Sequence, residues 1–444
     1  MDTPIVDFLR AYAASGTARF HMPGHKGRGP LGFEALDITE IAGADSLYEA
    51  EGIIAQSEKN ASGLFGTGRT LYSTEGSSQC IRAMLHLLLQ NRPAGTAPVV
   101  LAARNVHKAF VYSAALLDFE ICWLWPEEGG SLLGCPLSLE SVERALDSLP
   151  APPAAVYVTS PDYLGGMADI PALAALCHRR GTLLAVDNAH GAYLRFLEPS
   201  LHPIDLGADI CCDSAHKTLP ALTGGAYLHI SKSAPEALRA KARQAMALFG
   251  STSPSYLTLA SLDGCNGYLS QNYIQRLRET ASLIEQVRGT LRKNGWRVEK
   301  TDPLRLTVRA PEGTSGSALA EILRENGMEC EYADPEYLVL MFTPENTPRE
   351  IERVPAALGQ PPAPAEDKTA LPRAGGEQVM SVRQALFAPQ ESVSAEQSLG
   401  RVCGAPTVAC PPAIPIAVSG ERIGAEALEL FRHYGVKTVD VVKI

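Results

Sequence analysis

Ser214-Ala215-His216-Lys217-Thr218-Leu219-Pro220, with Gly224-Gly225 just beyond it and Val186-Asp187-Asn188-Ala189-His190 upstream, is the stretch that decides the fold. Lys217 follows a short apolar run, and Asp187 closes another, Leu183-Leu184-Ala185-Val186. A lysine amine kept neutral by partial desolvation or a cationic neighbour can form a Schiff base with an aldehyde. A carboxylate at a strand end can hold a proton on a pyridine nitrogen. Pyridoxal phosphate (PLP) chemistry needs that pair, one group to hold the aldehyde and one to keep the ring an electron sink.

Around this pair the pattern alternates. Val99-Val100-Leu101, Ile121 to Leu124, Ala155 to Val158, Leu183 to Val186, Asp209 to Cys212 and Ala226 to Ile230 are apolar throughout, as buried strands are. Helical stretches at 77–91, 107–117 and 171–180 lie between several of them. Such a chain is expected to form an α/β fold with a mostly parallel sheet flanked by helices, with ligands at the carboxyl ends of the strands. Asp187 and Lys217 both fall at such ends.

The expected organisation is an irregular N-terminal segment (1–60), a large PLP-binding domain (61–292), a small α+β domain (293–360), a Pro/Ala-rich linker (361–376) and a C-terminal domain (377–444). At 444 residues the chain is long enough for two or three domains. A net charge of −10 without a basic cluster gives no footprint for nucleic acid. No run approaches the length of a membrane span, and Met1-Asp2-Thr3-Pro4 is unlike a signal peptide. The ten cysteines are scattered, with no C-x-x-C pair, as reduced core cysteines are. These features predict a cytoplasmic protein, without metal.

Three further segments fit a cofactor site. Gly76-Ser77-Ser78, opening an apolar helix, offers free N–H groups and hydroxyls to a phosphate, although an ordinary helix cap reads the same way. His107, in Arg104-Asn105-Val106-His107-Lys108 after a strand, can stack on the pyridine ring. Ser160-Pro161-Asp162-Tyr163-Leu164-Gly165-Gly166 is either a pocket wall or a plain turn.

Taken in order, these segments resemble the bacterial ornithine/lysine/arginine decarboxylase family, which has the aspartate-aminotransferase-type fold (PLP fold type I). The resemblance also rests on Phe20-His21-Met22-Pro23-Gly24-His25-Lys26-Gly27, Leu36 to Glu40, Asp45-Ser46-Leu47 and Asp187-Asn188-Ala189-His190-Gly191. It implies that Lys217 carries PLP, that Asp187 meets the ring nitrogen, and that His107 stacks on the ring. It further suggests that Ser77, Ser78, Ser214 and His216 approach the phosphate; Gly76 and His190 are expected among the cofactor-binding residues as well. The chain resembles the short form of the family, without the N-terminal wing domain. A homodimer or higher homo-oligomer with shared sites is expected, with His21 to Arg28 reaching the partner.

Several positions depart from the family pattern. Cys410-Pro411-Pro412-Ala413-Ile414-Pro415 replaces a Tyr-Pro-Pro-Gly-Ile-Pro segment, and Ser419-Gly420-Glu421 a Pro-Gly-Glu. His190 stands where many members have tryptophan, and Asp162 where threonine is common. These changes bear on substrate identity more than on the cofactor.

The resulting expectation is decarboxylation of arginine, lysine or ornithine, with Lys217, Asp187, His107 and His216 as catalytic residues. A PLP aminotransferase or lyase is the enzymatic alternative, in which Arg305 or Arg309 would clamp a substrate carboxylate. A catalytically decayed, partner-binding paralogue is the alternative outside enzymes.

Overall fold

The computed structural model describes residues 1–126, 131–362, 371–373, 375–409 and 413–443. Cys410-Pro411-Pro412 and most of the expected linker lie outside the described residues. The chain forms two compact units, Met1–Pro93 with Ile170–Leu277 and Ala94–Asp169 with Arg278–Ile444.

In chain order the first elements are α1 (Pro4–Ala14), α2 (Ile53–Phe65), β1 (Arg69–Ser73), α3 (Gly76–Asn91), β2 (Val99–Ala103), α4 (Lys108–Leu117), β3 (Glu120–Leu124) and α5 (Leu139–Ser148). Then come β4 (Ala155–Thr159), α6 (Ile170–Arg179), β5 (Leu183–Asp187), β6 (Ile210–Asp213), α7 (Ala215–Thr218) and β7 (Ala226–Ile230). Helices α8 (Glu236–Leu248), α9 (Tyr256–Leu269) and α10 (Tyr273–Lys293) follow.

In the first unit the strands run in the order β1-β7-β6-β5. β5 and β6 are parallel, with Asp187 beside Cys212, whereas β7 lies antiparallel to both β6 and β1. Helix α3 packs on β6 and β7, α6 on β5, and α2 and α9 on β1. All residues of β6 and β7 are buried, which is why they read as unbroken apolar runs rather than alternating ones. In the second unit β3 and β4 are each parallel to β2.

The first 60 residues are more regular than the composition suggests, because they contain α1 and α2. Pro4 opens α1, where its missing N–H costs nothing. The carboxylate of Asp263 on α9 accepts the free N–H groups of Ile5 (2.8 Å) and Val6 (3.0 Å). That cap comes from a distant helix, so no local signal announces it.

Beyond α10 the second unit continues with β8 (Arg297–Val298), β9 (Arg305–Arg309), α11 (Gly316–Glu325), β10 (Tyr332–Ala333), β11 (Tyr337–Met341) and α12 (Pro348–Leu358). Strands β10-β11-β9-β8 form an antiparallel sheet, and a Thr347/Glu350 capping box starts α12. The C-terminal part holds α13 (Val382–Phe387), β12 (Gln390–Ser394), β13 (Thr407–Ala409), β14 (Ile414–Ala417), α14 (Ala425–His433) and β15 (Thr438–Val442). Cys403, Ile416, Ile423, Phe431, Val439 and Val441 form its core. Among the described residues no helix is long and apolar enough to cross a membrane, and nine cysteines are free thiols.

Candidate active site

The first unit holds Lys217, Asp187, His190, His216, Ser214, Gly76, Ser77 and Ser78; His107 belongs to the second. Asp187 is the last residue of β5 and is 2% exposed. Its Oδ1 accepts the Ala189 N–H (3.2 Å) and lies 3.6 Å from the Cys212 thiol on the adjacent strand. Burial and nearby carboxylates push the Cys212 pKa well above a normal thiol value, so it is the S–H that faces Asp187. Lys217 lies in the short helix α7 directly after β6, and its Nζ is 2.8 Å from Nε2 of His190. This contact brings the two sequence motifs together at the carboxyl ends of two parallel neighbours.

His216 is half-buried beside Lys217, and its Nδ1 lies 3.0 Å from the Gly225 carbonyl. A carbonyl can only accept, so Nδ1 carries the proton and Nε2 is left as an acceptor. Burial lowers the His216 pKa; the Gly225 bond partly opposes this, and the Lys217 charge adds to it. His216 is therefore neutral near pH 7.

The Gly-Gly pair joins this loop to the start of α3. Gly76 N–H donates to Gly224 O (2.7 Å), while His216 N–H donates to Gly225 O (3.2 Å). Gly224 has φ +95°, and a Cβ there would stand 2.8 Å from the Thr74 carbonyl, so the position requires glycine. At Gly76, with φ +71°, a Cβ would meet nothing within 4 Å. No side chain caps α3, Ser77 and Ser78 are partly exposed, and the buried Ser214 hydroxyl has no hydrogen-bond partner. An uncapped helix start with open space above its glycine and hydroxyls nearby fits a phosphate.

Sequence reasoning missed what lies behind this turn. Asn188 donates from Nδ2 to Asp213 Oδ1 (2.7 Å), and Asp213 Oδ2 lies 3.0 Å from His202 Nε2 and 3.2 Å from His229 Nε2. All four side chains are fully buried. Burial alone would raise the Asp213 pKa, but the two imidazoles overcome it and hold the carboxyl below its ordinary range. The available signals were a charge ending an apolar strand and a histidine inside Ala226-Tyr227-Leu228-His229-Ile230.

In the second unit His107 caps α4, its Nδ1 accepting the Ala109 N–H at 3.2 Å. The C-terminal segment grips the same loop. Lys108 N–H donates to Ala413 O (3.0 Å), and Arg104 donates to Pro415 O (2.8 Å) and Ile416 O (3.1 Å). The segment that departs from the family pattern thus scaffolds the His107 loop. Ser160–Gly166 is a tight turn closed on Asp162, whose N–H donates to Gly166 O while its Oδ1 accepts Gly166 N–H, both at 2.8 Å. Arg305 donates to the Asp162 (2.7 Å) and Tyr163 (2.9 Å) carbonyls and faces Asp302 at 3.6 Å. Its Nη1 is thus engaged by that turn.

The fold matches solved enzymes. The Francisella novicida lysine decarboxylase LdcF superposes with a TM-score of 0.79 at 18% identity, over 99% of this chain and 81% of that one. The architecture is that of PLP fold type I. A family model, "Orn/Lys/Arg decarboxylase, major domain", matches residues 3–310. The "Uncharacterized protein YaaO" of Bacillus subtilis is 31% identical over 99% of this chain and 95% of its own length. The arginine decarboxylase of B. subtilis is 30% identical over 96% of this chain and 92% of its own. The chain belongs to the ornithine/lysine/arginine decarboxylase family, and with it to the PLP-dependent amino-acid decarboxylases.

Proposed function

We propose that this protein decarboxylates a basic amino acid, arginine before lysine or ornithine, to the corresponding amine and carbon dioxide. The observation that carries the reading is the 2.8 Å contact between Lys217 Nζ and Nε2 of His190, in the turn that follows the buried Asp187. Arginine comes first because the arginine decarboxylase relative is 30% identical to this chain, against 18% for the lysine decarboxylase LdcF.

When bound, PLP supplies an aldehyde that takes the substrate amine and a protonated ring that draws electrons from the bond to the carboxylate. Gly76, Ser77, Ser78 and Ser214 would hold its phosphate, and Asp187 would keep the proton on its ring nitrogen. His107 is assigned to the ring face by family resemblance. Lys217, and not the neutral His216, returns a proton to the substrate Cα, because an imidazole without its second proton is a poor acid. His190 orients the Lys217 amine and shares its proton. The working form is a homodimer or higher oligomer in the cytoplasm. Phe20, 95% exposed, with Met22 and Leu31 on the same N-terminal loop, supports a second copy covering that loop. Free thiols support a reducing compartment.

The test is to incubate purified protein and PLP with arginine, lysine, ornithine and a neutral amino acid, reading the amine by mass. Amine from a basic substrate, lost in Lys217→Ala, supports the proposal. A requirement for a keto acid would assign transamination, and no product with any substrate would leave the decayed paralogue.

A further inference from the structure

The geometry points to Asp213 as a positioning residue, a strut tying the loop that bears Lys217 to the turn that bears Asp187 and His190. This rests on the cofactor reading proposed above. Asp213 is the last residue of β6 and is bonded directly to Ser214, so its backbone belongs to the lysine loop. Its Oδ1 holds Asn188, the residue after Asp187, at 2.7 Å. Asn188 is also fixed by its main chain: its N–H donates to Cys212 O (3.0 Å) and its carbonyl accepts Gly191 N–H (2.8 Å). A Cβ on Gly191 would stand 2.0 Å from Asn188 Oδ1, so the turn closes tightly over that amide. The Asn188–Asp213 side-chain hydrogen bond thus ties together, behind the site, the two loops between which the ring must fit.

A carboxylate at this position is costly, because β6 is otherwise apolar and wholly buried. Packing alone would favour an aliphatic residue. Oδ2 is compensated by His202 and His229, and His229 is braced in turn by a 2.8 Å contact between its Nδ1 and Thr70 Oγ1. That leaves Oδ1 committed to Asn188. His202, Cys211 and Asp213 also bring donor atoms within 4.8 Å of one another. Both imidazoles already face the same carboxylate oxygen, however, so a metal would have to displace the contacts that define the strut.

The experiment compares the wild-type holoenzyme with Asp213→Ala, Asn188→Ala and the double variant. It reads kcat and KM, the pH titration of the bound cofactor's visible band, and hydrogen exchange of residues 187–191 in cofactor-free protein. Either single change is expected to lower kcat about ten- to a hundredfold, with KM held within about twofold. The band's titration shifts, exchange at 187–191 quickens, and the double variant is no worse than the worse single. Should Asp213→Ala fail to fold, Asn188→Ala decides, since it leaves Asp213 with both imidazoles. Unchanged kcat and titration in a variant that retains PLP would overturn the strut, as would additive losses or equimolar metal in the wild type. Borohydride reduction of the wild type separates the two readings. No PLP adduct at Lys217 overturns the cofactor reading and the strut together, whereas an adduct with unaltered variants overturns the strut alone.

Discussion

Arg104 and Glu421, 317 positions apart in sequence, form an ion pair at 3.4 Å with 3% and 2% of their side chains exposed. Arg104 also lies over the rings of Trp123 and Trp125, at 5.0 and 5.6 Å from their centroids. Glu421 accepts the Val418 N–H at 2.8 Å. Burial raises the Glu421 pKa, and the Arg104 charge works against that rise. With the hydrogen bonds to Ala413, Pro415 and Ile416, this pair fastens the C-terminal segment to the loop that carries His107.

Removing one member of a buried pair strands the other. Glu421→Ala is expected to destabilise the protein by about 3 kcal/mol, the lower part of the usual range because Arg104 keeps two carbonyl acceptors. Urea unfolding checks this. A loss below ~1 kcal/mol would mean that the pair is replaceable by water. In the folded variant kcat should also fall, through the His107 loop.

Gly224→Ala tests the proposed phosphate cup. The left-handed backbone and the Thr74 carbonyl at 2.8 Å both oppose a methyl group there, and relief would pull the Gly224 carbonyl from the Gly76 N–H. Strain of this kind costs ~1–3 kcal/mol, so the apparent Kd for PLP should rise about tenfold or more. Gly16→Ala is the control: φ is +70° and nothing lies within 4 Å of a Cβ. It should cost stability but leave PLP affinity untouched. Equal affinity losses in both variants would remove the cup from this helix start.

Asp187→Ala separates holding the cofactor from activating it. Lys217 and the proposed phosphate cup remain, so PLP should still be trapped by borohydride, but the group proposed to keep the ring nitrogen protonated would be gone. A fall in kcat of several orders of magnitude is expected, each tenfold step being ~1.4 kcal/mol of barrier. Turnover within tenfold of wild type would show that Asp187 does not serve that nitrogen.

The strand succession and the lysine and aspartate loops were legible because each depends on local pattern: an apolar run, then polar and glycine residues at its carboxyl end. The boundaries of β5, β6 and β7 fall within a residue of the apolar runs. Helix α1 was not legible, since its cap is Asp263. Nor was the Asp213 network, in which His202, Asp213 and His229 come from separate segments and the pairing depends on the register of β6 against β7. The setting of Arg305 was not legible for a related reason: a cation's partners can be main-chain carbonyls that leave no trace in composition.

Asp162 gives a pH-dependent test of the turn at 160–166. Burial pushes its pKa up to about 6 from an ordinary 3.8, against the opposing pull of the Gly166 N–H and the Arg305 charge, and Asp302 adds to the rise. Between 3.8 and about 6 the folded chain therefore holds a proton that the unfolded chain has released. The contribution of this group to stability is thus greatest below that window and declines as pH rises through it. At 1.36 kcal/mol per pKa unit the decline is at most about 3 kcal/mol. Asparagine does not titrate, and its side-chain oxygen can still accept the Gly166 N–H. Relative to wild type, Asp162→Asn should gain stability steadily from pH 4 to 6 and level off above, as read from denaturant midpoints across that series. Parallel curves for the two proteins would show that the carboxylate stays ionised through the whole window, solvated well enough that its burial carries no protonation cost.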